Sequence, residues 1–436
     1  MKKLFALLLA VITVLALCAC GGTAEPAQTQ PTETQGKDYS AYAGIVADTK
    51  TWYDTLMAMP IASPDMTERE LRQLCVDAFR MNNTFAWTPT QPITYVFHIQ
   101  GKTSEVLLPT GIAYAGMYYC NNDARGNVWK ALEYYDHETG AMDIEAMGGN
   151  MHSIISSACA RGCEWGWSRV SNDHGLETMS SYSQYASKVT PVGSYTYGAG
   201  QYGFSDGDGT KQIIADNGID VMLESYCAAQ MADGLYSSSS YHVMMFAEDP
   251  VIVYRSDGTI DPNLSYALVH EQDAVGSKTE NKNYQQSNGV TMRPLGTVDN
   301  KYTFQELLDK GYIPFAIPEL VGKAPVEVGD AWIGTSAENR VENGADITLS
   351  ELRTKTLGMN YALCVIQVQV KDASGKVVAE IRPQSSSTPQ TFSVSASVAL
   401  PEEELAPYAD GNHTVTVSVR MANGELKEAL TTTLKK

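Results

Sequence analysis

The chain opens with a short basic head and an apolar run, and this leader decides where the folded part of the protein can begin. Lys2 and Lys3 precede the apolar residues 4–19. A membrane-spanning helix needs about 20 apolar residues, so this shorter run is typical of a secretion signal that is removed. We therefore expect the folded part to start after the leader and to form outside the cytoplasm.

The end of the leader is similar to the lipobox of bacterial lipoproteins. Leu17 stands three places before Cys20, and the small residue Ala19 stands immediately before it. The resemblance implies that residues 1–19 are a lipoprotein signal peptide and that Cys20 carries the lipid. The protein would then be an extracytoplasmic lipoprotein anchored to the cell membrane. Cys18 is the rival lipid site, although bulky Leu17 precedes it, and an ordinary cleaved signal is the alternative.

The segment that follows has the composition of a flexible tether. Residues 23–39 are rich in Thr, Gln, Pro and Glu. Such a segment cannot bury enough apolar surface to offset the entropy lost on folding. We assign residues 20–39 to the lipidated cysteine and a flexible linker that holds the folded part away from the membrane.

Charge and cysteine content narrow the classes of partner and cofactor. The formal net charge is −19, and basic residues do not cluster, which argues against nucleic acid as a partner. Cys159 and Cys163 are four residues apart, on one face of a predicted helix, but no second Cys/His pair with suitable spacing lies nearby. We expect no metal and no other cofactor. Export permits disulfides among the remaining cysteines, and their pairing stays open.

The periodicity of the chain predicts an α+β fold in two parts. In residues 40–325, Thr67 and Glu70 form a capping box at the start of a helix, within a region read as helical from residue 40 to residue 83. A hairpin is expected at residues 93–107. Further helices are expected at about residues 126–135, 157–170, 211–230 and 304–310, and strands at 241–246, 251–254, 265–271 and 312–318.

From about residue 326 to residue 436 the pattern changes to short strands separated by turns. The expected strands are residues 362–370, 377–381, 391–398, 413–421 and 426–434. Strands of this length and spacing predict an immunoglobulin-like β-sandwich. We expect it to be a spacer or a protein-binding module. The alternative is that it packs on the first domain and shapes its cleft.

Two segments of the first domain carry residues suited to nucleophilic catalysis. Small residues lead into Cys159 at a helix start, where the helix dipole favours a thiolate. His242 begins a strand and can take and return the proton of the thiol. His270 and Glu271 end the next strand, where one polar group can orient the imidazole. Because side chains alternate along a strand, only one of His270 and Glu271 faces His242.

These segments resemble the NlpC-type cell-wall peptidases, which are papain-like. In that family the nucleophile lies in Asp-Cys-Ser-Gly, the base in Gly-His-Val, and a third polar residue, often His, near the end of the next strand. The resemblance matches Cys159 to the nucleophile, His242 to the base and His270 to the orienting residue. Glu271 or Gln272 are the alternatives for the third position.

The resemblance covers about residues 111–275 and includes departures from the motifs. Residues 116–119 (Gly-Met-Tyr-Tyr) are similar to an upstream Gly-x-Pro-Tyr motif, and residues 231–235 to the Pro-Gly-Asp segment before the base. The residues that replace Asp, Ser and Gly around the nucleophile and Gly before the base are Ala158, Ala160, Arg161 and Tyr241. The resemblance therefore implies a papain-like NlpC-type fold more than a substrate.

Several nearby residues have alternative readings. Cys163 is a second candidate nucleophile, and His152 and His174 are weaker candidates for the site. Trp165 and Trp167 are read as packing residues, although aromatic side chains near a cleft can also hold glycan. Glu164 is read as a solvated helix position.

Three functions are consistent with this sequence. The preferred one is a lipid-anchored cysteine peptidase or amidase that hydrolyses cell-wall peptide or peptidoglycan through a Cys-His-polar triad. The second is a catalytically inactive papain-like domain used for cell-surface binding or adhesion, as the altered motif residues suggest. The third is a transglutaminase- or acyltransferase-like use of the same Cys–His pair.

Overall fold

The structure is a computed structural model with a mixed α+β fold. It describes residues 46–99, 102–120, 126–171, 188–197, 207–273, 284–285, 291–326, 333–334, 340–343, 346–354, 363–381, 384–385, 395–400 and 402–435. The leader, Cys20, the linker of residues 20–39 and His174 lie outside the described residues, so their assignments stay predictions.

The described helices and strands alternate through the first part of the chain, and strands dominate the second. The helices are Val46–Met57 (α1), Glu68–Thr84 (α2), Val128–Leu132 (α3), Ile144–Met147 (α4), Met151–Ile155 (α5), Cys159–Trp167 (α6), Gly209–Asn217 (α7), Ile219–Ala228 (α8), Phe304–Lys310 (α9) and Glu402–Leu405 (α10). The strands of the first part are Ala86–Pro89 (β1), Ile93–Ile99 (β2), Lys102–Leu108 (β3), Ala113–Ala115 (β4), Tyr118–Tyr119 (β5), Tyr135–Asp136 (β6), Ala141–Met142 (β7), Ser156–Ser157 (β8), Thr190–Pro191 (β9), Gly234–Ser237 (β10), His242–Phe246 (β11), Tyr266–Glu271 (β12), Tyr284–Gln285 (β13), Thr291–Pro294 (β14), Thr297–Thr303 (β15) and Ile313–Ala316 (β16). The strands of the second part are Ile333–Gly334 (β17), Arg340–Asn343 (β18), Asp346–Thr354 (β19), Leu363–Lys371 (β20), Val377–Ile381 (β21), Gln384–Ser385 (β22), Ser395–Ala399 (β23), Asp410–Met421 (β24) and Leu426–Lys435 (β25).

Local sequence signals explain where several elements begin and break. The capping box of Thr67 and Glu70 is present at the start of α2. The helix expected over residues 211–230 is two helices, because Gly218 adopts a φ of +87° between α7 and α8. The prediction of a strand at residues 251–254 was wrong. This segment forms only two isolated β-bridges, which join residues on either side of the turn at Asp257 and Gly258.

A six-stranded antiparallel sheet carries the candidate site residues. Its order is β15-β12-β11-β10-β16-β9. Phe246 of β11 pairs with Val269 of β12, and Met245 pairs with His270. Since side chains alternate along each strand, this register puts His242 and Glu271 on one face of the sheet and His270 on the opposite face.

Helix α6 packs closely against its neighbours through two glycines. A Cβ added at Gly166 would lie 2.8 Å from the backbone oxygen of Cys75 in α2, and one at Gly162 would lie 2.6 Å from the ring of Phe79. The indole Nε1 of Trp167 donates a hydrogen bond to the carbonyl of Ala232, at 2.8 Å. The absence of side chains at the two glycines therefore fixes how near α6 approaches α2.

The second part of the chain forms two sheets around its own apolar core. One sheet has the order β17-β19-β23-β22, with β18 paired to β19, and the other has the order β21-β20-β24-β25. Residues of both sheets, Ile347, Leu349, Val398, Ile366, Val368 and Val417 among them, lie in one buried cluster. We refer to this part as the two-sheet unit.

The two-sheet unit packs against the first part of the chain at the end of α6. The Arg169 guanidinium donates a hydrogen bond of 2.6 Å to the carbonyl of Asn423 in the β24–β25 turn, and Ser168 lies 3.4 Å from the carbonyl of Ala422. The guanidinium carbons of Arg169 and Arg420 lie 5.7 and 4.9 Å from the centroid of the Trp129 ring. These contacts show that the two-sheet unit packs on the first part of the chain.

The close approach at Gly166 leads to a stability prediction. Gly166→Ala should lower the free energy of unfolding by about 1–3 kcal/mol, because the new methyl group overlaps a backbone oxygen that cannot move alone. Urea unfolding followed by tryptophan fluorescence measures this. The matched control is Gly149→Ala, where no atom lies within 4 Å of an added Cβ. Equal losses in both variants would contradict the packing of α6.

Candidate active site

Cys159 is the first residue of α6, and its sulfur lies at an uncapped helix start. Ala158 occupies the N-cap position in an extended conformation and supplies no side-chain cap. The backbone N–H groups of Ala160 and Val243 hydrogen-bond to the Cys159 sulfur. The helix start is held by β8, where Ser156 and Ser157 pair in parallel with Tyr118 and Tyr119. Cys159 as a residue is partly exposed.

His242 connects the thiol to a carboxylate. Its side chain hydrogen-bonds to that of Cys159. Its Nε2 lies 2.8 Å from Oε2 of Glu271. Because the carboxylate engages Nε2, Nδ1 is the ring nitrogen left to hydrogen-bond with the thiol. The structure therefore brings Cys159 and His242 together, more than eighty positions apart in the sequence, as the sequence predicted.

The backbone immediately before His242 has an uncommon conformation. Tyr241 adopts a φ of +48°, in the left-handed region that glycine occupies without steric cost. Its carbonyl oxygen lies 4.0 Å from the Cys159 sulfur, and its side chain is exposed. This turn directs the start of β11, and with it the imidazole, toward the helix start.

Glu271 is a buried carboxylate that several donors surround. Asn300 Nδ2 donates a hydrogen bond to Oε1, and the Tyr302 hydroxyl lies 3.2 and 3.3 Å from the two oxygens. Together with His242 these side chains give the carboxylate three partners. A buried carboxylate stays charged only when such partners replace its water.

His270, which the family resemblance placed third in the triad, lies on the opposite face of β12. Its Nε2 is 3.4 Å from Nε of Arg80, and its Nδ1 accepts a hydrogen bond from the backbone of Asp299 at 3.3 Å. Burial first, and then the charge of Arg80, lower the pKa of His270 well below its usual value. The position beside the His242 ring belongs to Glu271, because strand alternation turns the two residues in opposite directions.

Gln272, the other alternative, also points away from the His242 ring. Its Nε2 donates to the carbonyl oxygens of Met117 and Leu295, at 2.6 and 3.2 Å. It therefore links the end of β12 to the segment that precedes Tyr119.

The electrostatics favour an ion pair between Cys159 and His242. Burial alone would raise the pKa of Cys159, but the hydrogen bond and charge of His242 outweigh it and lower that pKa below its usual value. Burial alone would lower the pKa of His242, and the hydrogen bonds to Cys159 and Glu271 raise it instead. Both shifts favour a thiolate beside an imidazolium.

Two tyrosines lie near the sulfur. Burial raises the pKa of Tyr119, and the negative charge of Cys159 raises it further. The pKa of Tyr236 is raised by the same two causes in the same order. Both phenols therefore stay protonated at neutral pH.

The surroundings of the other candidate residues indicate structural rather than catalytic roles. Cys163 is buried, and burial raises its pKa well above the usual value, so it is a neutral thiol. Trp165 and Trp167 are buried in the core, as the packing interpretation predicted. The His152 ring lies 2.6 Å from the Tyr118 hydroxyl. The reading of Glu164 as a solvated position was wrong, because its side chain is buried 3.6 Å from Arg161.

Comparisons with models of known protein families, with curated proteins and with solved structures found no match. Within the part of the chain that the structure describes, no group of three or more His, Cys, Asp or Glu side chains is placed to hold a metal ion. No helix among the described residues combines the length and the apolar character needed to cross a membrane.

Sequence reasoning missed four side chains of this site. Tyr119 is the last residue of the Gly-Met-Tyr-Tyr segment. This segment was matched to a motif, but the tyrosine was given no role. Asn300 and Tyr302 lie two positions apart on the strand that pairs with β12. This spacing puts both side chains on one face of the strand, and it was the signal that the sequence offered. Tyr236 carried no comparable signal, because its neighbourhood depends on how β10 pairs with β11.

The ion pair leads to a prediction about thiol reactivity. Iodoacetamide should alkylate Cys159 at pH 6, where an ordinary thiol, with a pKa of about 8.5, is mostly protonated. His242→Ala should slow this reaction at least about tenfold, because one unit of thiol pKa changes the thiolate fraction about tenfold. Mass spectrometry of peptides measures the rates. Cys227 is the control, because burial raises its pKa to about 11 and it should stay unmodified.

A second prediction separates Glu271 from His270. Glu271→Gln should slow the alkylation of Cys159 at pH 6 at least about tenfold, because a neutral amide stabilises the imidazolium less than a carboxylate does. His270→Asn should leave the rate within about twofold, since this side chain lies on the other face of β12. The reverse ranking, in variants with wild-type circular dichroism, would return the orienting role to His270.

Proposed function

We propose that the protein is a lipid-anchored, extracytoplasmic cysteine hydrolase that cleaves amide bonds in cell-wall peptides. The observation that carries this proposal is the contact of Cys159, His242 and Glu271, with a partly exposed Cys159 at a helix start. A thiolate, an imidazole within hydrogen-bond reach and a group that orients the imidazole are the parts of nucleophilic amide hydrolysis.

The reaction follows from the placement of these groups. The Cys159 thiolate attacks the amide carbonyl carbon and forms a tetrahedral oxyanion. The backbone N–H groups at the start of α6 are donors suited to that oxygen. The His242 imidazolium gives its proton to the leaving amine as the C–N bond breaks, which leaves a thioester on Cys159.

The second half of the reaction returns the site to its starting state. Neutral His242 takes a proton from water, and the resulting hydroxide attacks the thioester carbonyl. The C–S bond breaks, the acid product leaves, and the thiolate–imidazolium pair forms again. Glu271 keeps the ring oriented and stabilises its positive charge through both halves.

The choice of cell-wall peptide as substrate rests on the resemblance to the NlpC-type peptidases and on the lipoprotein leader. The left-handed φ of Tyr241 supports this resemblance, because Tyr241 stands where the family motif has glycine. We propose accordingly that the first part of the chain is a papain-like NlpC-type domain and that the two-sheet unit is immunoglobulin-like.

The proposal predicts a specific pattern of activity on muropeptides. Cys159→Ala should reduce hydrolysis at least about a thousandfold, because the covalent route is lost. Cys227→Ser, which removes a half-buried thiol outside the site, should leave the rate within about twofold. Liquid chromatography of products measures both. Undiminished hydrolysis by the Cys159→Ala variant would exclude this mechanism.

Product analysis also separates the rival functions. An inactive papain-like domain used for adhesion would leave muropeptides intact, and its Cys159 would not be alkylated at pH 6. An acyltransferase would transfer the thioester acyl group to an added amine and yield a new amide. Hydrolysis alone gives a free carboxylate and the released amine.

A further inference from the structure

Glu271 lies in a buried environment, where keeping a carboxylate charged costs free energy. Its side chain is 3% exposed. Removal of a carboxylate from water favours the protonated form unless hydrogen bonds or positive charge compensate. A protonated Glu271 could no longer stabilise the imidazolium, so the site needs a structural reason for its charge.

Strand β15 supplies that reason. Val269 of β12 pairs with Asn300, and Ala267 pairs with Tyr302, so alternation puts both side chains on the face that carries Glu271. The Asn300 amide donates to one carboxylate oxygen, and the Tyr302 hydroxyl lies within hydrogen-bond distance of both. The oxygen Oε2 remains available to His242, at 2.8 Å.

The ionisable groups around Glu271 come from several elements. They are His242 from β11, Cys163 from α6, Tyr302 from β15, and Tyr312 from the segment before β16. The ammonium of Lys310 lies 4.4 Å from the centroid of the Tyr302 ring, and Asp273 interacts electrostatically with Tyr302. Among these described groups, the imidazolium is the cation in direct contact with the carboxylate, and Asn300 and Tyr302 also hydrogen-bond to the carboxylate.

We infer that Asn300 and Tyr302 are positioning residues that hold Glu271 charged and in place, so that the pH at which Cys159 becomes nucleophilic depends on them. This inference rests on the proposed function, because it assigns the two side chains a role in the same site. They act through Glu271 and His242 and do not touch the substrate. Their effect should therefore vanish when Glu271 carries no charge.

The first part of the test is the pH profile of Cys159 alkylation in two variants that remove one donor each. Asn300→Leu and Tyr302→Phe should each move the acidic midpoint of the profile to higher pH. At pH 6 the rate should fall about three- to tenfold, as a shift of half a unit to one unit implies. Asn300→Asp should slow the reaction more than Asn300→Leu, because it sets a like charge against Glu271.

The matched control is Lys301→Gln. Lys301 stands between Asn300 and Tyr302 on the same strand, is exposed, and lies over the ring of Tyr266, with 3.9 Å between its Nζ and the ring centroid. This substitution should leave the profile unchanged. A profile that moves as far in Lys301→Gln as in Tyr302→Phe would show that β15 has a general structural effect and would overturn the inference.

The second part of the test is a double-mutant cycle with Glu271→Gln. In that background, Asn300→Leu and Tyr302→Phe should change the rate at pH 6 less than about twofold, since their route of action is already removed. Additive effects in the cycle, or single variants with the wild-type profile, would overturn this inference and leave the proposed function standing. A wild-type Cys159 that is unreactive at pH 6 would overturn the proposed function together with the inference.

Discussion

The contact between His242 and Glu271 is the interaction on which the rest of the site depends. A lone buried imidazole tends to lose its proton, and a lone buried carboxylate tends to gain one. At 2.8 Å the two side chains keep each other charged. The proton held on His242 then favours the thiolate of Cys159. The contact between His242 and Glu271 therefore influences the protonation of Cys159, although Cys159 is not part of that contact.

The approach of Cys159 to this pair depends on backbone packing. Gly162 and Gly166 let α6 lie close to α2, and the pairing of β5 with β8 fixes the residues that lead into the helix. A Cβ at Gly166 would overlap the backbone oxygen of Cys75, so α6 could not lie this close to α2 with a side chain there. The left-handed turn at Tyr241 completes the arrangement from the other side, since it directs the imidazole toward the helix start.

The sequence was sufficient for the mixed α+β character, which follows from periodicity and a capping signal. The meeting of Cys159 and His242 was expected from the resemblance of their two segments to the NlpC-type motifs. It left the third residue open among His270, Glu271 and Gln272. That choice depends on the register between β11 and β12, which pairs Phe246 with Val269 and is a long-range property of the sheet. The family resemblance favoured His270, whereas alternation along β12 gives the position to Glu271.

The side chains around Glu271 could not be predicted from the sequence, for a related reason. Asn300 and Tyr302 become neighbours of the carboxylate only when β15 pairs with β12, after nearly thirty residues of intervening chain. A polar residue two positions from a tyrosine on a strand is ordinary by itself. It gains a chemical role only from the partner strand, so no local pattern distinguishes it.

The contacts between the end of α6 and the β24–β25 turn constrain how this protein can evolve. A module joined by a free linker can be exchanged for another without harm to its neighbour. Here the carbonyl of Asn423 accepts a hydrogen bond from the buried guanidinium of Arg169, two residues beyond the helix that begins at Cys159. Recombination that replaced the two-sheet unit would leave that cation buried with a lost partner, so the two parts are expected to be inherited as one piece.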